Sequence, residues 1–133
     1  MKKILSLGLI AVLSTTLLAV DKKERISDMR QMATGMELIM NGLLYNYPDT
    51  IYQGTAKIKG GVAHIKSEGD LKNYLPKDTA YAYKFAQKSL RRITEYAGEI
   101  DEALKQKDFE AAFDSSALLM RQCNSCHSRV RGW

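Results

Sequence analysis

Residues 108–131, DFEAAFDSSALLMRQCNSCHSRVR, read as one amphipathic helix. Phe109, Ala112, Ser116, Leu119, Cys123, Cys126 and Val130 recur at intervals of three and four, which gathers their side chains on one stripe. Gln106-Lys107 forms the turn before it, and Asp108 supplies an N-cap. Working back along the chain, the same spacing predicts a third helix capped by Asp78, with Ala82, Ala86, Leu90, Ile93, Ala97, Ile100 and Leu104 inward. Gly69 to Lys77, with Pro76, reads as a connecting loop. A second helix follows an Asp49 cap, its seam being Ile51, Thr55, Ile58, Val62 and Ile65. Gly54, Gly60 and Gly61 weaken it, each by about 1 kcal/mol relative to Ala. The first helix carries Ile26, Met29, Ala33, Met36, Met40, Leu43 and Tyr47 on its seam and stops before Pro48, because a proline disfavours helical backbone in the residue ahead of it. No segment shows the alternation of a strand, and no repeat is visible. The expected fold is all-α, an antiparallel up-down-up-down four-helix bundle, with both cysteines of the chain on its inner stripe.

Those cysteines lie in Cys123-Asn124-Ser125-Cys126-His127, and C-x-x-C-H is the attachment pattern of a c-type haem. On a helix, positions i, i+3 and i+4 share a side, so two thiols can bond one porphyrin while the His127 imidazole meets its iron. Three other readings use the same residues. A structural zinc site needs about four ligands, and only His64 is left to complete the set. A thioredoxin-like pair sits at the start of a helix after a strand, whereas the segment upstream of Cys123 is itself helical in pattern. A disulfide between cysteines one helical turn apart is poorly placed for an unstrained bridge.

The N-terminus predicts export. Met1-Lys2-Lys3 is a basic start, Ile4 to Leu18 is apolar, and Ala19 precedes the charged Asp21-Lys22-Lys23-Glu24. This is the layout of a signal peptide over residues 1–19, leaving a single domain over 20–133. An uncleaved anchor is the alternative, although the run is short for a membrane span; no cysteine follows it to carry a lipid. Haem is joined to C-x-x-C-H outside the cytoplasm, so motif and leader both point to the periplasm. Loss of Lys2 and Lys3 lowers the formal charge from +5 to +3. Lys and Arg look scattered along the chain, which gives no reason to expect a nucleic-acid partner.

Four helices, a leader and C-x-x-C-H near the end of the last helix resemble the class II c-type cytochromes, the group of cytochrome c′ and cytochrome c-556. Arg131 matches the basic residue usual four positions after the histidine; Val130 stands where an aromatic is usual. The resemblance implies one covalent haem c, with His127 as one axial ligand and a first-helix residue opposite. An apolar residue there would leave a five-coordinate iron that binds nitric oxide or carbon monoxide. A methionine would give a six-coordinate electron carrier, since a thioether raises the potential. Met29 is the expected ligand, nineteen residues before Pro48, with Met32 and then Met36 as alternatives. Met residues also fill core gaps, and Met40 reads that way. Arg25 matches the place where the family often has a basic residue near a haem propionate. His64, beside its seam, reads as a rim histidine. The resemblance further implies redox partner proteins in the periplasm, no stable membrane insertion, and pairing into homodimers. No acid–base pair or nucleophile constellation suggests an enzyme.

Overall fold

A computed structural model describes residues 22–67 and 71–131. The expected leader over residues 1–19 lies outside the described residues. Among the latter the structure is all helical: α1 (Lys22–Tyr45), α2 (Pro48–Ser67), a single turn α3 (Leu71–Tyr74), a 3-10 segment (Lys77–Ala82), α4 (Tyr83–Lys105) and α5 (Phe109–Arg131). The four long helices form a bundle in which α1 packs on α2 and α4 on α5, with α2 and α4 in contact across the middle. No described helix is long and apolar enough to cross a membrane.

The seams of α2 and α4 fall where the periodicity puts them. Ile51, Thr55, Ile58, Val62 and Ile65 are all buried, as are Ala82, Ala86, Leu90, Ile93, Ala97, Ile100 and Leu104. Both tight turns use a non-glycine residue in the left-handed region, Asn46 at φ 57° and Lys107 at φ 59°. At the second, the Lys107 and Asp108 amides donate to the Leu104 and Ala103 carbonyls, at 3.0 and 2.9 Å. That arrangement closes a helix end by satisfying carbonyls that have no intrahelical partner. Asp108 caps α5 as expected, accepting from the Ala111 amide at 2.9 Å.

Several local expectations are corrected. Asp49 is not the cap of α2: the helix already begins at Pro48, and the Tyr47 carbonyl accepts from the Thr50 and Ile51 amides. Proline suits a first helical position because its missing N–H would have no partner there. Tyr47 is therefore in the turn and exposed, stacked on Tyr45, rather than on the α1 seam. Asp78 does not cap α4 either; it sits in the 3-10 segment, and α4 starts after Ala82. The connecting loop contains the helical turn α3, whose Tyr74 is buried. The buried line of α1 is also shifted from the expected seam: Met32 and Ile39 are buried, whereas Met29, Met36, Met40 and Leu43 are partly buried and Ile26 and Ala33 are exposed, because α1 turns its glycine side to α2.

The glycines of α2 are a packing device. A Cβ on Gly54 would lie 2.6 Å from the Gly35 carbonyl oxygen, and one on Gly35 would lie 2.8 Å from that of Gly54. The two backbones thus approach until only hydrogen fits between them. Gly61 makes similar room for Met32, whose Cγ stands 2.7 Å from where a Cβ would be. The propensity lost in α2 is traded for close contact with α1, and the helix runs unbroken through all three glycines.

Candidate functional site

At the end of the bundle where α1 and α4 begin and α5 finishes, the helices separate around a partly open cavity of about 300 Å³. Its wall is almost entirely apolar. Met29, Met32, Ala33 and Met36 come from α1, Leu90 and Ile93 from α4, Leu75 and Pro76 from the α3 connection, and Cys123, Cys126, His127 and Val130 from α5. Arg25 and Tyr74 supply polar groups at the wall. The residues singled out from the sequence are therefore brought together from opposite ends of the chain. Met40 and His64 do not line this cavity.

Helical phase explains the α5 contribution. Leu119, Cys123, Cys126 and Val130 lie on one stripe, and below the cavity that stripe is closed by Leu119 and Ala112, both fully buried. The two thiols are half-buried and unbridged. Burial pushes the Cys123 thiol up to about 11, with the neighbouring Cys126 adding to the effect. Cys126 is also raised by burial, partly offset by a hydrogen bond with Ser89. The free chain thus holds two neutral thiols against an apolar surface. Among the described residues no group of three or more His, Cys, Asp or Glu side chains is arranged to hold a metal ion.

The position of α5 is fixed from behind by a pair that sequence reading missed. Gln122, buried on the α4 side, donates to the Ser89 hydroxyl at 2.9 Å. Periodicity alone ranks both as polar interruptions; buried together, each supplies the hydrogen bond that the other needs.

A second missed feature is a buried polar cluster beside Met29. The Asp28 side chain is 6 % exposed. It accepts from the Tyr74 hydroxyl at 3.0 Å and faces the His64 Nδ1 at 2.8 Å. Arg25 Nη1 donates to the Tyr74 carbonyl at 2.9 Å. Burial, with the Asp28 hydrogen bond and charge, pushes the Tyr74 phenol far above its usual range, and Arg25 opposes this weakly. The cluster ties α1 to both α2 and α3, so the α3 connection is held down as one wall of the cavity. His64 is half-exposed and belongs to this tie, in keeping with a rim position.

The donor set fits a covalently held haem on its own chemistry. Two adjacent thiols, an imidazole one residue further on and thioethers opposite face an apolar slot, while an arginine stands at its polar edge with one of its five donors engaged by Tyr74. A slot of this volume and lining is of the kind that takes flat organic cofactors. No protein-family model, curated protein or solved structure matches this chain.

Proposed function

We propose that this protein is a periplasmic monohaem c-type cytochrome of the class II kind, acting as a one-electron carrier. The observation that carries the reading is the meeting of Cys123, Cys126 and His127 with the α1 methionines around one apolar cavity. When bound, haem supplies a single iron that takes up and releases one electron. The thiols of Cys123 and Cys126 would hold it covalently through its two vinyl groups. His127 would hold the iron through its imidazole. Arg25, on the cavity wall, would balance the charge of a propionate. Leu90, Ile93 and Val130 exclude water, which limits solvent rearrangement when charge changes.

Met29 is the best-supported sixth ligand. Met32 is drawn against α2, its sulfur 3.4 Å from the position of a Gly61 Cβ, and is the most deeply buried of the candidates. Met29, one turn nearer the open end, is half-buried and free of that seat. Held by His127 and Met29 together, the iron would keep the same ligands in both oxidation states, which suits electron transfer.

The optical spectrum tests this. The ferric protein is expected to be low-spin, with the weak red band of Met–Fe bonding, and Met29→Ala should abolish that band and open the ferrous iron to carbon monoxide. An unchanged spectrum in that variant would transfer the role to Met32 or Met36. A five-coordinate, high-spin wild type would replace the carrier with a binder of nitric oxide or carbon monoxide.

A further inference from the structure

Basic residues that look scattered in the sequence are gathered by the antiparallel pairing of α4 and α5. Residues 83–94 open α4 and residues 115–130 close α5; together they carry Lys84, Lys88, Arg91, Arg92, Arg121 and Arg129 and no carboxylate. All six are exposed. Only Arg91 is held in an exposed ion pair, with Glu95 at 3.4 Å at the boundary. The other halves, residues 95–114, carry seven carboxylates from Glu95 to Asp114 against Lys105 and Lys107. Contacts between the helices fix the register: Ser89 meets Gln122 at the basic end, and Glu99 meets Ser115 at the acidic end.

We propose that this basic α4–α5 face is the docking surface for an acidic redox protein, and that electrons enter and leave through the α5 turn beneath it. The inference rests on the haem reading of the cavity. The outer groove of the face is lined by Phe85, Ser125, Ser128 and Arg129. Ser125 and Ser128 belong to the same turn as Cys126 and His127, which line the cavity on the other side. A partner seated on the face is separated from the site by one helix wall.

Distances make the field directional. A 23-residue helix at about 1.5 Å per residue puts the centres of its two halves about 17 Å apart. That is about twice the screening length at physiological salt, near 8 Å. A partner approaching the basic end is therefore little affected by the acidic one. Such a field steers encounter and orients a weak, short-lived complex. A protein partner is favoured over an anionic membrane because the α4 half of the face offers no exposed apolar side chain to insert, and the large apolar residues exposed on the α5 half, Leu118 and Met120 beside Arg121, are two rather than a continuous stripe. On α4 from Tyr83 to Thr94 every exposed position is Lys84, Gln87, Lys88, Arg91 or Arg92. The Phe85 ring is covered by the Arg129 guanidinium at 4.3 Å from its centre. Membrane-surface helices present apolar side chains to the lipid instead.

The test uses the ferrous holoprotein and stopped-flow oxidation by hexacyanoferrate(III), which takes one electron from the iron. The rate should fall about tenfold or more between low and physiological salt, and rise with salt for the cationic oxidant tris(phenanthroline)cobalt(III). Poly-L-glutamate, standing in for an acidic protein surface, should slow the first reaction. Lys84→Glu, Lys88→Glu and Arg92→Glu together should reverse the salt trend and remove the inhibition, with the haem spectrum intact. Glu110→Lys with Asp114→Lys at the other end should change neither. Salt-independent rates in the wild type, or equal responses to reversal at either end, would overturn the proposal. So would binding to phosphatidylglycerol vesicles at physiological salt that the basic-end variant loses, since the face would then serve a membrane. A chain that matures without covalent haem would remove the underlying reading instead, and no electron would be exchanged at all.

Discussion

The two halves of α1 meet the rest of the bundle in opposite ways. Towards its C-terminus, Gly35, Ile39 and Gly42 lie against Gly54 and Ile51 of α2 with no space for one additional carbon. Towards its N-terminus, Met29, Ala33 and Met36 face a cavity of about 300 Å³, with α5 standing off on the other side. The same helix is thus a zipped wall at one end and one side of a slot at the other. An apolar wall of that extent is costly to leave against water, at roughly 25 cal/mol for each Å² that a bound group would cover. The closed end resists that cost, and the open end is where a bound group contributes most to stability.

The most drastic way to break the contrast is to remove the thiols proposed to attach the haem. Cys123→Ala with Cys126→Ala should yield a chain that loses all colour on denaturing electrophoresis. In hydrogen exchange the amides around Ile39, Ile51 and Ile58 should stay protected, while those around Met29 and Cys123 to Val130 exchange quickly. Uniform protection would show that the open end stands without a bound group.

At the closed end, Gly54→Val should cost about 3 kcal/mol or more in chemical denaturation, because backbone rather than a flexible side chain must yield. A loss under 1 kcal/mol would mean that the helices separate easily there.

Asp28→Ala sharpens the comparison at the edge of the slot. It strands the Tyr74 hydroxyl, for about 1–3 kcal/mol, and should loosen the α3 connection, so that carbon monoxide reaches the ferrous iron of the Met29→Ala background faster than in that single variant. Tyr74 also gives a pH dependence with a definite sign. Its phenol titrates above the ordinary value of 10.0 because it is buried and bonded to Asp28. The unfolded chain therefore loses a proton near pH 10 while the native chain keeps it, so this contribution is fully present below pH 10 and declines as pH rises beyond it. Tyr74→Phe should flatten that alkaline decline. The smallest effect is a control: Gly98→Ala, whose new methyl meets nothing within 4 Å, should stabilise α4 by about 1 kcal/mol.

What the sequence disclosed follows from how local each signal is. The α2 and α4 seams, and the three residues of the C-x-x-C-H motif, depend on spacing within one helix, and all could be read directly. Asp49 and Asp78 satisfy a cap rule that Pro48 and the 3-10 segment override, since several residues can begin a helix and neighbouring structure chooses among them. Gly54 and Gly61 look like weak points because a propensity scale does not know that the Gly35 carbonyl and the Met32 side chain stand where their Cβ atoms would crowd. The Asp28–Tyr74–His64 tie joins residues up to 46 apart in the chain, and the basic face exists only once α4 and α5 are paired. Both are properties of register between helices, which no single-helix pattern encodes.

The most direct test of the central claim is the intact mass of the protein matured in a periplasm with a working haem-attachment pathway. The account predicts a chain heavier by one haem, retained under denaturing conditions and mapped to the peptide containing Cys123 and Cys126. A mass equal to that of the bare polypeptide, with both thiols free to alkylate, would contradict it.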